Sequence, residues 1–206
     1  MPLTNYTELQ SSIADFLNRD DLTAAIPTFI ALAEAELSAR VRHWRMESRA
    51  TVTASTQYID PPSGWMETLR ISITTANGPK PLRLMSQFDM MDSRNSDAGA
   101  TGEPSGYTFT DGMFELYPVP DGSYSLETVY FRRPDALSSS IPSNWLISYF
   151  PGAYLYGALK HTAPYLQDDP RIGVWGQLFE EALGAIERDN LSRYSGTGLR
   201  LKMGGR

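Results

Sequence analysis

The spacing of apolar residues changes twice along this chain, and these changes limit the folds it can adopt. Apolar side chains recur at helical spacing in residues 1–45, at every second position in much of residues 46–135, and again at helical spacing in residues 136–195. Separate runs of helices and strands are typical of α+β proteins. We predict an α+β fold, with a helical bundle built from N-terminal and C-terminal helix pairs, a small inserted antiparallel β subdomain, and an extended C-terminal arm over residues 196–206.

The N-terminal helix pair is indicated by its capping residues. Asn5 followed by Glu8 resembles a capping box and predicts a first helix that ends near Asn18. Pro27 suits the first position of a second helix, which we expect to end near His43. The predicted apolar faces comprise Leu9, Ile13, Phe16 and Leu17 in the first helix, and Ile30, Ala33, Leu37 and Val41 in the second.

The C-terminal helix pair has similar start signals. Pro151 predicts a helix that reaches about Ala163, and Asp169 followed by Pro170 predicts a last helix that reaches about Arg193. We expect Trp175 to be buried against the preceding helix. The predicted apolar stripe of the last helix is Val174, Leu178, Ala182, Ala185, Ile186 and Leu191.

The β subdomain is predicted from alternation and turn residues. Asp111-Gly112 separates two alternating runs, Tyr107–Thr110 and Met113–Tyr117, and therefore predicts a hairpin with a tight primed turn. Ser86 begins a short helix candidate. The segment Asn95–Gly106 is rich in glycine and serine, so we expect a mobile loop there rather than a phosphate-binding loop, which would end in Gly-Lys-Ser/Thr.

Composition argues against most catalytic chemistry. The 206 residues include no cysteine, which excludes disulfides, thiolate metal sites and a catalytic cysteine. The two histidines, His43 and His161, have no second histidine at metal-ligand spacing. We interpret both as residues of the last turn of a helix, near its negative end, and we expect no catalytic residue, metal or cofactor.

Carboxylates supply the one enzymatic alternative. Glu180 and Glu181 point about 100° apart on a helix, so they do not form a matched acid–base pair by spacing alone. A small hydrolase using Glu180 with Asp168 remains an alternative of a different class. Glu36 and Arg40 are spaced for an ion pair between neighbouring helical turns. No stretch approaches the ~20 apolar residues of a membrane span, so we expect no membrane partner.

Aromatic side chains are concentrated in the C-terminal third of the chain. They suit a helical core, and their polar tips also suit a protein–protein interface, so both interpretations stay open. They are Trp145, Tyr149, Phe150, Tyr154, Tyr156, Tyr165 and Trp175.

The C-terminus differs in charge from the rest of the chain. The whole chain has a formal net charge of −6, whereas residues 192–206 contain four basic residues and no acidic residue. The alternating stretch from Leu199 to Met203 is compatible with an extended segment that presents apolar side chains on one side. Two interpretations stay open: a docking segment, and an ordinary solvated end.

Four stretches of the chain resemble one protein family. They are LTNYTELQ (Leu3–Gln10), DLTAAIPTFIALAEAE (Asp21–Glu36), PGAYLYGAL (Pro151–Leu159) and APYLQDDPR (Ala163–Arg171), the last followed by Trp175. In this order they resemble the head–tail adaptor proteins of tailed bacteriophages, also called connector or head-completion proteins. The resemblance is weakest in the β segment, about residues 76–105.

The resemblance implies a structural virion protein without enzymatic activity. Such proteins form a ring, typically of twelve copies, between the portal and the tail at the head–tail junction, and they assemble in the host cytoplasm. The ring completes the head and lets DNA pass without sequence-specific binding. The implied partners are the portal protein, the tail or nozzle proteins and other copies of the chain. A tail-side terminator or gatekeeper protein is the alternative within the same class.

The resemblance also implies that the C-terminal arm docks onto the portal. Leu199, Leu201 and Met203 would fill apolar pockets, and Arg200, Lys202 and Arg206 would meet acidic portal groups.

Overall fold

The protein is an α+β protein, as predicted. Its structure, a computed structural model, describes residues 3–75, 78–166 and 170–195. The chain divides into two compact units, a helical unit of residues 1–45 and 134–206 and a β unit of residues 46–133.

The described helices and strands follow the predicted order. The α-helices are α1 (Tyr6–Leu17), α2 (Ile26–Arg40), α3 (Gln87–Ser96), α4 (Trp145–Tyr149), α5 (Pro151–Lys160) and α6 (Arg171–Ser195). The strands are β1 (Glu47–Ala54), β2 (Tyr58–Ile59), β3 (Trp65–Thr75), β4 (Gly78–Pro81), β5 (Arg83–Leu84), β6 (Gly106–Thr110), β7 (Met113–Tyr117) and β8 (Tyr124–Arg132). Short 3₁₀ helices cover Asp20–Ala25, Trp44–Met46 and Ala163–Tyr165.

Helix α1 begins and ends where its capping residues predict. The Asn5 side chain accepts a hydrogen bond from the Glu8 backbone N–H at 2.9 Å, and Asn18 adopts a left-handed conformation after the last turn. Leu9, Ile13 and Leu17 are buried. The predicted apolar face was wrong at Phe16, which is exposed.

Helix α2 starts at Ile26, one residue before the predicted position, and ends at Arg40 because Val41 turns to extended backbone. His43 therefore lies beyond the helix, and its interpretation as a residue of the last helical turn was wrong. By length and composition the segment Asp21–Arg40 would be long enough to cross a membrane, contrary to our expectation. Its residues include Phe29 and Ile30, which are buried in the helical unit, where α2 packs against α5.

Helix α6 has the predicted apolar stripe in a shifted register. Trp175 is buried, as predicted, and so is Phe179, whereas Val174 and Leu191 are exposed. In the first half of α6 the buried residues are therefore Trp175 and Phe179, each one position after the predicted Val174 and Leu178. The larger aromatic side chains take the buried positions.

Helix α5 contacts both α2 and α6, and a glycine makes this close packing possible. A Cβ atom at Gly157 would lie 3.0 Å from a ring carbon of Phe179 on α6 and 3.1 Å from the Cβ atom of Ala33 on α2. Real Cβ atoms rarely come this close to neighbouring atoms. The absence of a side chain at Gly157 therefore sets the distance between three helices.

The β unit contains two four-stranded sheets. One has the strand order β1-β8-β3-β4, and the other has the order β2-β7-β6-β5. All pairs of neighbouring strands are antiparallel except β5 and β6, which are parallel and are joined by α3 as a crossover. Both sheets contribute to one core, made of Ala54, Ile59, Ile71, Ile73, Leu82, Tyr107, Phe114, Leu116 and Leu126.

Two local predictions in the β unit are confirmed, and one needs correction. Asp111 and Gly112 both have positive φ, as a primed hairpin turn requires. Ser86 caps α3 by accepting a hydrogen bond from the Asp89 N–H at 3.0 Å. The segment expected to be a mobile loop is partly paired: the Gly102 N–H donates to the Val119 carbonyl at 2.9 Å.

The packing at Gly157 yields a matched pair of substitutions. A Gly→Ala change inside a helix normally stabilises by about 1 kcal/mol. We expect this gain for Gly176→Ala in α6, where an added Cβ meets nothing within 4 Å. Gly157→Ala should instead lower the melting temperature, because overpacking a core costs about 1–3 kcal/mol. Thermal unfolding of both variants checks this, and equal stabilisation by both would contradict the packing described.

Candidate docking region at the end of helix α6

The predicted docking residues Leu199, Arg200, Leu201, Lys202, Met203 and Arg206 lie outside the described residues. They follow α6, whose last residue is Ser195. Their starting position is set by the contacts that hold the end of α6 in the helical unit.

The side chain of Asn190 attaches the end of α6 to the segment that follows α2. Its Oδ1 accepts a hydrogen bond from the Trp44 N–H at 2.9 Å, and its Nδ2 donates to the Arg42 carbonyl at 3.0 Å. Both polar ends of one amide are thus bound to backbone groups on either side of His43. Such paired bonds fix the register between the two segments as well as their distance.

His43 itself is fully buried and bonded at both ring nitrogens. Its Nε2 lies 3.0 Å from Oδ2 of Asp189, and its Nδ1 accepts a hydrogen bond from the Arg45 backbone N–H at 3.2 Å. Because Nδ1 accepts, the neutral ring carries its proton on Nε2 and donates it to Asp189. Neither nitrogen is left to take a proton from a substrate.

The surroundings of His43 favour its neutral form. Burial lowers the pKa of His43; the Asp189 carboxylate opposes this effect, and the charges of Arg45 and Arg193 add to it. The ring is also stacked on Trp145, with 4.9 Å between centroids and an angle of 18° between planes. His43 is thus a packed structural residue, held by side-chain and ring contacts.

Next to His43, aromatic rings and guanidinium groups form a partly exposed cluster. The guanidinium carbons of Arg45 and Arg193 lie 4.3 and 4.7 Å from the Trp44 ring centroid. Arg45 also lies 3.8 Å from the ring centroid of Tyr149, which is 58% exposed. We call Trp44, Arg45, Tyr149 and Arg193 the cation–aromatic cluster. Each such contact contributes about 0.5–1 kcal/mol at an exposed site.

Ion pairs connect α2 to the middle of α6 and to the end of α5. Arg40 binds both carboxylate oxygens of Glu180 at 2.6 Å, and its pairing with Glu36 at 3.2 Å confirms the predicted i,i+4 contact. Lys160 binds Glu36 at 2.6 Å, and His161 lies 3.2 Å from the same carboxylate. His161 is the C-cap residue directly after Lys160, the last residue of α5, so it lies next to the negative helix end but just outside the predicted last turn.

A cleft of about 470 Å³ lies beside these ion pairs, between the end of α2 and α6. Glu180 lines it, and the hydrogen bonds from Arg40 lower the pKa of that carboxyl. A general acid needs a raised pKa, so Glu180 is in the opposite condition. Asp168, its partner in the hydrolase alternative, lies outside the described residues. Among the residues that are described, no group of three or more His, Cys, Asp and Glu is arranged to hold a metal.

The aromatic residues of the C-terminal third differ in exposure, so some belong to the helical core and others remain accessible to a partner. Tyr154 and Trp175 are buried, whereas Tyr149 and Tyr165 are about half exposed. The hydroxyl of Tyr154 accepts a hydrogen bond from Nδ2 of Asn144 at 2.7 Å. Sequence reasoning missed the roles of Asp189 and Asn190, because their partners His43, Trp44 and Arg42 lie far away along the chain. It also missed Asn144, although a local signal exists, since its Oδ1 caps α4 by accepting from the Leu146 and Ile147 N–H groups.

The chain is thus an α+β protein in which His43 and Glu180, the candidate side chains, are bound by other groups of the helical unit. Comparison with protein families identifies the family. The model of the SU10 adaptor protein family matches residues 4–201, and the chain therefore belongs to this family of phage head–tail adaptors. It is a structural adaptor of the bacteriophage virion, where it associates with other virion proteins. No curated protein matches the sequence.

The buried His43 makes stability depend on pH. Because the folded pKa is lowered, the unfolded chain binds the proton more readily, so stability is full above the ordinary pKa of about 6.5 and falls as pH drops through the folded value. His43→Gln keeps a donor for Asp189 but does not titrate. We expect the variant to be less stable at pH 8, with a smaller fall in melting temperature between pH 7 and pH 5. Parallel pH profiles for both proteins would show that His43 does not contribute.

Proposed function

We propose that the chain forms a ring of twelve copies at the head–tail junction, between the portal and the tail. The ring completes the head, guides the passing DNA and assembles in the host cytoplasm. The observation that carries this proposal is the family match over residues 4–201, which spans nearly the whole chain. The net charge of −6 supports a passage for DNA, because like charge reduces attraction to phosphates and so favours sliding without sequence-specific binding.

In this proposal the helix pairs of residues 1–45 and 136–195 form one domain, and the inserted β subdomain of residues 46–135 forms the other. Residues 196–206 are the arm that docks onto the portal. Two observations support the arm. The family match extends beyond α6 and includes Leu199, Arg200 and Leu201. The end of α6, from which the arm departs, is held to the helical unit by Asp189 and Asn190.

The proposed role involves no catalysis. His43 uses both ring nitrogens within the fold, and Glu180 is bound to Arg40 through both carboxylate oxygens. A hydrolase at Glu180 would have to break this pair before the carboxyl could act on a substrate. The match to a structural adaptor family supports a role in assembly.

Absence of hydrolysis is directly measurable. We expect the purified chain to cleave neither peptidoglycan nor simple esters above the background rate. Hydrolysis that disappears in both His161→Ala and Glu180→Gln, with folding preserved by circular dichroism, would establish the enzymatic alternative in place of the proposed role.

The arm yields the central test of the proposed function. We expect a chain that ends at Ser195 to keep the melting temperature of the full chain but to lose co-sedimentation with the portal. Each arm binds weakly alone, because ordering an extended segment costs free energy. A ring presents many arms together, which raises the overall affinity by orders of magnitude.

Two full-length variants separate the contributions within the arm. One replaces Leu199, Leu201 and Met203 with serine, and the other replaces Arg200, Lys202 and Arg206 with glutamine. High salt screens only the charges. The serine variant should therefore lose the binding that the full chain retains at high salt, whereas the glutamine variant should bind almost independently of salt. Undiminished portal binding by the truncated chain would contradict docking by the arm, and binding to tail proteins alone would indicate a tail-side terminator or gatekeeper.

A further inference from the structure

An apolar and acidic surface on the β unit has no partner among the described residues. Leu84, Phe88 and Met91 are 66%, 74% and 61% exposed, although side chains of this size are usually buried. Phe88 and Met91 lie one helical turn apart on α3. Leu84 is the last residue of β5, shortly before the start of the helix. Met90, on the opposite side of α3, is buried and anchors the helix.

Acidic side chains flank these apolar residues. Asp89 and Asp92 are exposed, and neither forms an ion pair with any residue that the structure describes. In contrast, Arg94 of the same helix binds Glu115 at 2.9 Å and the Leu116 carbonyl at 2.9 Å, so it is turned toward the β unit. We call Leu84, Phe88, Asp89, Met91 and Asp92 the α3 face.

The cation–aromatic cluster of the helical unit has the complementary chemistry. Tyr149 is 58% exposed, and Arg193 is exposed at the end of α6. Arg45 contacts two rings but binds no carboxylate within the described part of the chain. An acidic segment that also carries large apolar side chains would suit this cluster, with a carboxylate on the Arg45 guanidinium group and apolar groups on the rings.

We propose that the α3 face of one copy docks onto the cation–aromatic cluster of the next copy. This contact would join unlike surfaces of identical chains, the head-to-tail arrangement from which closed rings are built. It deepens and rests on the ring proposed above. A second copy is the favoured occupant because one chain carries both complementary surfaces. Since the chain has a net charge of −6, a cationic cluster is also where an acidic second copy approaches with least repulsion.

The small size of the contact determines when it forms. Five side chains on the α3 face and four in the cation–aromatic cluster fall well short of the roughly 800 Å² per partner that a stable interface buries. A single contact is therefore transient between free chains. Docking on the portal holds neighbouring copies together and raises their effective concentration, so the contact becomes populated in the assembled ring.

Engineered cysteines test the contact, since the chain has no cysteine of its own. One full-length variant carries Met91→Cys and another carries Tyr149→Cys, and the two are mixed, with and without portal, and treated with a short bismaleimide. We expect covalent dimers from the mixture, formed more fully on the portal, and none from either variant alone. The double variant should give a series of higher multimers. Asp15→Cys, at an exposed position on α1, replaces Tyr149→Cys as the control and should not couple to Met91→Cys.

Charge reversal tests the chemistry of the same contact. Asp89→Lys with Asp92→Lys, added to the Met91→Cys chain, should reduce coupling to Tyr149→Cys at least fivefold, with folding preserved by circular dichroism. Asp97→Lys, just beyond the end of α3, is the matched control and should leave coupling unchanged.

The outcomes separate this inference from the proposed function. Co-sedimentation with portal but no coupling between Met91→Cys and Tyr149→Cys would overturn the inference and leave the ring intact. Coupling of Met91→Cys to itself, or to the portal, would also overturn it by placing the α3 face against another surface. Failure of all chains to bind portal would count against the proposed function. The contact would then be tested in a concentrated solution of free chains, where coupling between Met91→Cys and Tyr149→Cys would support it and no coupling would overturn it.

Discussion

The helical unit depends on contacts between two chain segments that the entire β unit separates in sequence. At their junction the hydroxyl of Tyr154 lies 3.3 Å from Oε1 of Glu34, an oxygen that also accepts the Leu137 N–H at 2.7 Å. Asn144 completes this network by donating to Tyr154 while its Oδ1 caps α4. Burial raises the pKa of Tyr154 and of Glu34, so the tyrosine remains a donor throughout the physiological range. A partly buried network of this kind specifies one arrangement of the segments, because a shifted arrangement would leave polar groups unsatisfied.

A series of contacts connects this junction to the C-terminal end of α6. Helix α5 carries Tyr154 and, one turn later, Gly157, where α6 comes close enough for Phe179 to pack. Helix α6 then places Asp189 and Asn190 beside the segment after α2, and Arg193 over Trp44. The position from which the proposed arm departs is thus fixed by interactions that begin several helical turns away.

The parts of the fold that the sequence predicts are those with local signals. The caps at Asn5 and Ser86 and the turn at Asp111 depend on residues within four positions, so they were predicted correctly. Helical periodicity alone does not choose between two stripes one residue apart, and the register of α6 was missed because the space opened by Gly157 on α5 selects Phe179. Strand β5 has only two residues, too few to show alternation, so its parallel pairing was missed as well. The docking residues remain a prediction, because they lie beyond the described end of α6.

The pairing of β1 with β8 determines what the inserted β unit means for the rest of the chain. Glu47, at the start of β1, is directly paired with Phe131, near the end of β8. The chain therefore enters and leaves the β unit about one strand spacing apart, roughly 5 Å. The β unit therefore joins the two helical segments as a short hairpin loop would, with its two ends close together. The entropy cost of bringing these ends together is compensated by the pairing of β1 with β8. The other strands and loops of the β unit can therefore change in length or chemistry while the distance between its first and last residues stays the same.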